Sequence, residues 1–278
     1  MKADRTRLVP RVLRARDFRL YTEGGRRLVD LWQAGGAAVL GHTPRGVLKA
    51  LKNTAARGLF TPFPHHSEGR FIKALGTLFP HKAFRVYAGD ADLLRAASGA
   101  GVSPVPVVAV ADPALGERGR LRLWRPFLED PEAAEPETEP EALLVPVLPW
   151  VLAPKVLVIP PSLDAAFPPS PPLPPVILAA AARSVFVLHA ERTERLAAPR
   201  TVRAGSLWRR RGIYLSPETP FTEDAYTTVF LRFLDAGFLL PPVTTLPLIL
   251  PGILSPGESA KLNTLLSSAG SAGGTKAS

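Results

Sequence analysis

The chain carries five histidines, eight lysines, 26 arginines and 24 carboxylates, and no cysteine, in 278 residues. The missing cysteine excludes disulfides, thiolate nucleophiles and cysteine-ligated zinc or iron–sulfur centres. His65 and His66 are the most concentrated imidazole pair. Adjacent residues on a helix point about 100° apart, and the i, i+4 spacing of a helical metal site is missing, so the pair reads as the start of a helix. His189 falls inside a long apolar helix pattern and is expected half-buried. No Gly-x-Ser-x-Gly elbow or phosphate-binding Walker loop is present. Carboxylates cluster in LEDPEAAEPE, a linker with no pocket for general-acid chemistry. Lys155, in APKVLVIP, stands at the start of a strand pattern and reads as a strand-edge surface lysine. Arg209, Arg210 and Arg211 form the tightest basic cluster, either a solvated face or an anion patch.

Composition sets the class of molecule. At 46% hydrophobic residues and a mean hydropathy of +0.10, the chain can bury a substantial core. No apolar run approaches the roughly 20 residues that cross a bilayer, and the basic start MKADRTRLVPRVLRARDF lacks the features of a signal peptide. The expected location is the cytoplasm, away from membranes. A net charge of +10 favours encounter with nucleic acid, anionic lipid or an acidic protein, but no nucleic-acid-binding signature accompanies it.

Periodicity supplies the elements that would position these residues. PRGVLKALKNTAARG (44–58) has proline near its start, Val47, Leu48 and Leu51 along one side and glycine at its end, which predicts a capped amphipathic helix. Residues 65–79, 174–198 and 222–237 carry the same pattern, the last with Thr222 as N-cap, and ADLLRAASG suggests a short helix. Apolar runs at 84–88, 105–111, 120–124, 143–148 and 155–160 predict strands covered on both faces, as in a parallel α/β sheet. The connections from 105 to 160 are too short and proline-rich for crossover helices, so the sheet is expected to be partly antiparallel or stripped of helices there. Residues 131–142 read as an exposed acidic linker, 167–175 as a polyproline-like stretch and the final SSAGSAGGTKAS as a disordered tail.

DFRLYTEGGRRLVDLWQAGGAAVLGHTPRGVLKAL (17–51) resembles the amino-terminal segment of the class III aminotransferases, in particular their glutamate-1-semialdehyde aminomutase branch. The glycine pair, Asp30 and the turn Gly41-His42 fall in step with that family's pattern. FLDAGFLLPPVTTLPLILPGILSPGESAKLNTLL (233–266) resembles the family's carboxy-terminal piece. The resemblance implies an α/β fold, a reduced form of the fold-type I pyridoxal-phosphate enzymes. A mixed or parallel central sheet with helices would be joined by a small α+β domain built from both chain ends. On that expectation residues 1–55 pack with the small domain, 56–180 form the large domain, 181–266 the small domain and 267–278 the tail. It also implies a homodimer.

The same resemblance marks where pyridoxal phosphate would be held. Where the family has Ser-Gly-Thr at a helix N-terminus for the phosphate, this chain has Ala88-Gly89-Asp90, followed by Asp92. Two carboxylates there would repel a phosphate, and Asp90 reads instead as an N-cap. The family's glutamate-proline strand corresponds to LLVPVL, with Val145 in place of the acid. Pro160 stands where an aspartate would pair with the ring nitrogen, and the segment bearing the Schiff-base lysine has no counterpart. The expectation is therefore a non-catalytic aminotransferase relative that binds no cofactor and no metal, with a structural or partner-binding role. The alternatives are a divergent aminotransferase or aminomutase using Lys155, and a basic module binding anions or nucleic acid through Arg209–Arg211.

Overall fold

A computed structural model of the chain describes residues 5–102, 121–128, 143–191, 195 and 201–268. The expected strand at 105–111, the acidic linker, the tail from residue 269 on and much of the stretch after Glu191 lie outside them, whereas Ser267 and Ser268, expected in the tail, end the last helix.

Three sheets organise the described residues. The first begins with an antiparallel meander of β1 (Val12–Arg16), β2 (Arg19–Thr22) and β3 (Arg27–Asp30), and is completed by β10 (Phe238–Leu239) lying parallel to β3. The two ends of the chain thus share one sheet. The second is antiparallel, with β9 (Tyr214–Pro217) between β8 (Trp208–Arg211) and β11 (Leu248–Ile249). Both sheets contribute to one core, in which Leu28, Leu31, Tyr214, Leu215 and Ile249 meet Phe230 and Phe233 of α5 (Glu223–Asp235) and Leu262 and Leu266 of α6 (Pro256–Ser268).

The third sheet runs in the order β4 (Ala83–Tyr87), β7 (Lys155–Ile159), β6 (Leu143–Pro146), β5 (Leu121–Trp124). Strand β7 shows why its run is continuously apolar. Val156 and Val158 enter a core with Phe71 and Leu75 of α2 (Ser67–Leu78) and Val185 of α4 (Pro175–Ala190). Leu157 and Ile159 enter another with Leu93 and Ala97 of α3 (Asp90–Gly99). Successive side chains of a strand point to opposite faces, so a strand covered on both needs apolar residues throughout. Each fully buried aliphatic side chain contributes about 1.5–3 kcal/mol.

The strand directions refine the parallel-sheet expectation. In this sheet the parallel pair is β5 and β6, whereas β7 runs antiparallel to both β4 and β6. Residues 147–154 join β6 to β7 without a helix. So short a link can reverse the chain but cannot carry a parallel crossover.

The predicted helices are present, four with shorter spans and α3 beginning one residue earlier than ADLLRAASG. Helix α1 (Val47–Ala55) buries Val47 but leaves Leu48 54% exposed, so the apolar stripe read along 44–58 is only partly used. Helix α4 packs against both α1 and α2. The N-cap of α5 is Thr222, whose hydroxyl accepts from the Ala225 N–H. Among the described residues no helix is long and apolar enough to cross a membrane.

Candidate functional site

The carboxyl ends of β4, β5 and β6 open at one edge of the third sheet, the edge where open α/β sheets bind ligands. Strand β4 leads through Ala88 and Gly89 to the first turn of α3, and β5 leads to Arg125. Across them lies the turn Gln33–Gly36, in which Ala34 and Gly35 adopt left-handed conformations. Together they enclose a cleft of about 350 Å³ whose walls include Gly35, Asp90, Arg125, Val145, Trp150 and Lys155.

Among the described residues three ionisable groups reach this cleft. Asp90 is the first residue of α3, and Gly89 is its N-cap with no side-chain cap bond, so Asp90 does not serve as the expected N-cap. Its carboxylate instead lies 3.2 Å from Lys155 Nζ, both side chains being about half-exposed. Antiparallel pairing sets Lys155 opposite Tyr87, at the end of β4 that leads to α3. Lys155 is therefore a residue of the cleft and not a remote strand-edge lysine.

The third group is Arg125, only 3% exposed. Its Nη1 donates to the Gly35 carbonyl at 2.7 Å, and its guanidinium sits 5.8 Å from the Tyr214 ring centre. Burial pulls its pKa below the ordinary arginine value. Sequence reading missed Arg125 because, among 26 arginines, nothing local distinguishes one that follows a short strand.

The remaining sequence candidates disperse. Val145 is buried and lines the cleft, but as core. Pro160 follows the far end of β7, whose Ile159 pairs with Ala83. At about 3.3 Å per residue it stands roughly 16 Å along the strand from Lys155. It therefore cannot share a site with Ala88-Gly89-Asp90, and its correspondence with a ring-nitrogen aspartate is corrected by the antiparallel direction of β7. On β8, successive side chains alternate faces, which separates Arg210 from Arg209 and Arg211. Arg210 donates to the carbonyls of Gly212 and Val202, and burial lowers its pKa. The three arginines do not form a single patch.

The histidines also separate. His42 Nε2 lies 2.9 Å from Asp30 Oδ2, while Asp30 Oδ1 accepts the N–H groups of Trp32 and Gln33. The motif residues Asp30 and Gly41-His42 thus form one structural knot under the Gln33–Gly36 turn. Gly41 has φ +85°, and a Cβ there would come 2.9 Å from the Asp17 carbonyl oxygen. The rings of His65 and His66 lie 3.9 Å apart between centres, tilted by 38°, before α2, and His189 is exposed rather than half-buried. Among the described residues no group of three or more His, Asp or Glu could hold a metal.

No family model matches the chain. An uncharacterised protein of Treponema pallidum is 29% identical over 283 residues, covering 90% of this chain and 92% of that one. One of Borreliella burgdorferi is 38% identical over 71 residues, 26% of each chain. Among solved structures, the acetylornithine aminotransferase of Elizabethkingia anophelis superposes with a TM-score of 0.66 at 11% identity, covering 94% of this chain and 93% of that one. The ornithine aminotransferase of Plasmodium yoelii gives 0.62 at 13%, with the same coverage. The fold is that of the aminotransferases. At such identities the likeness reaches the fold alone, and the chemistry rests on the residues in place.

Those residues do not fit pyridoxal phosphate. The side chains at the α3 N-terminus are Asp90, paired with Lys155, and Asp92, 2.9 Å from Arg95. Neither carboxylate donates a hydrogen bond, and both oppose a phosphate dianion. Among the described residues Lys155 is the one lysine lining the cleft, and its ammonium is held by Asp90.

Proposed function

We propose that this chain is a shortened, non-catalytic member of the aminotransferase group, nearest the glutamate-1-semialdehyde aminomutase branch, which has lost pyridoxal-phosphate binding and acts through shape and partners. It works as a cytoplasmic homodimer. The observation that carries the reading is the Asp90–Lys155 ion pair at the α3 N-terminus, where an anion would otherwise be drawn by free N–H groups and the helix dipole. The exposed apolar side chains of Leu48, Phe60 and Phe63, in one stretch of chain, support an association surface.

The test is a titration of the purified chain with pyridoxal phosphate, followed by absorbance and borohydride reduction. No aldimine band and no trapped cofactor are expected. Stoichiometric reduction onto Lys155, abolished in Lys155→Ala, would overturn the proposal. It would favour the second reading, a divergent enzyme, which the placement of Lys155 in a cleft with the buried Arg125 supports.

A further inference from the structure

A different cleft collects positive charge from three helices. It has a volume of about 420 Å³, and its ionisable lining residues are Lys49 of α1, Arg57 just after it, His65 and His66 ahead of α2, Arg70 of α2 and Arg183 of α4. Among the described residues no aspartate or glutamate lines it. Lys49 and Asn53 are four residues apart and share one side of α1.

The cations are left without local compensation. Among the described residues, none of Lys49, Arg57, Arg70 and Arg183 has a carboxylate within 4.0 Å. Arg183 is also positioned: its Nε donates to the Arg45 carbonyl at 3.3 Å, and a Cβ on Gly46 would come 2.7 Å from the same nitrogen. Glycine at 46 therefore leaves room for the guanidinium at the start of α1. His65 titrates below its ordinary value through partial desolvation and the neighbouring charges of His66 and Arg57. Like charges gathered around a hollow repel one another, and an anion placed among them converts that repulsion into attraction. The α2 N-terminus adds its dipole in the same sense.

We propose that this cleft binds a small phosphorylated anion, a phosphate ester or diphosphate, held by Lys49, Arg57, Arg70 and Arg183. Its size is that of a small-molecule site, and its cations surround a hollow rather than follow an extended track as a nucleic-acid strand requires. The proposal is independent of the Asp90–Lys155 cleft.

Calorimetric titration of the full chain with pyrophosphate and with inorganic phosphate at low salt tests it. Pyrophosphate is expected to bind more tightly, as two phosphoryl groups engage more of the cations. Arg57→Gln and Arg183→Gln should each weaken it about tenfold, the size of one charge-assisted hydrogen bond. Lys261→Gln, an equal loss of charge at an exposed position of α6, should leave binding unchanged. Circular dichroism checks that Arg183→Gln folds, and the exposed Arg57→Gln serves alone if it does not. Absence of binding at millimolar pyrophosphate, or equal affinity in the arginine variants and wild type, overturns the proposal. So does arginine-dependent binding of a single-stranded oligonucleotide while pyrophosphate stays silent, which would make the ligand a nucleic acid.

Discussion

At the scale of single residues, buried polar groups mostly hold backbone in place. Asp30 ties His42 and two backbone N–H groups into one knot, and Arg125 fixes the Gly35 turn. Glu258 does the same between the chain ends, accepting from both Arg19 Nη2 at 2.6 Å and the Ser255 N–H at 2.8 Å. Burial alone would raise the Glu258 pKa, but the bonds from Arg19 and Ser255 together carry it below the ordinary value. A carboxylate depressed in the folded state contributes stability that is present above its unfolded pKa and disappears as pH falls through the folded one. Chemical denaturation between about pH 5 and 3 should therefore show an acid-sensitive loss of stability that is shallower in Glu258→Gln. The same acid slope in both proteins would remove Glu258 from the explanation. The resemblance at the chain ends made Asp30 and Gly41-His42 legible in sequence; the partners of Glu258 and Arg125 were not, since they lie far away along the chain.

At the scale of elements, local pattern was informative wherever local physics decides. Thr222 caps α5 as its type and position implied, and the apolar run 155–160 is a strand covered on both faces. Thr222→Ala removes the bond to the Ala225 N–H and should lower stability by about 1 kcal/mol in a denaturant melt, with an unchanged slope. A changed slope would mean that the substitution alters more than the cap. Strand direction was less legible, because apolar content and length are the same for a strand running either way. The short, proline-rich connections from 105 to 160 left a partly antiparallel sheet and a loss of helices both open, and β7 runs antiparallel to β6. That reversal separates Pro160 from Asp90 and brings Lys155 to it.

At the scale of the molecule, both chain ends meet in one sheet and one core, while the stretch from Leu48 to Phe63 leaves three large apolar side chains exposed, Phe60 and Phe63 at 60% each. If this stretch forms the proposed dimer contact, Phe60→Ser with Phe63→Ser should weaken dimerisation about a hundredfold, read by sedimentation velocity across a concentration series, without loss of helicity. Wild-type protein that sediments as a monomer, or a double variant that dimerises as tightly, would end that idea.

The sequence alone determined the α/β character, the positions of most helices, the strands near 84–88, 120–124, 143–148 and 155–160, and the absence of cysteine chemistry, because these depend on composition and on repeat periods of two or 3.6 residues. Tertiary structure decided which charges meet. Lys155 with Asp90, and Lys49, Arg57 and Arg70 with Arg183, are pairings across 65 and more than 110 residues of chain. Nothing in a local window records such pairings, because they arise when strand order and helix packing close the chain upon itself.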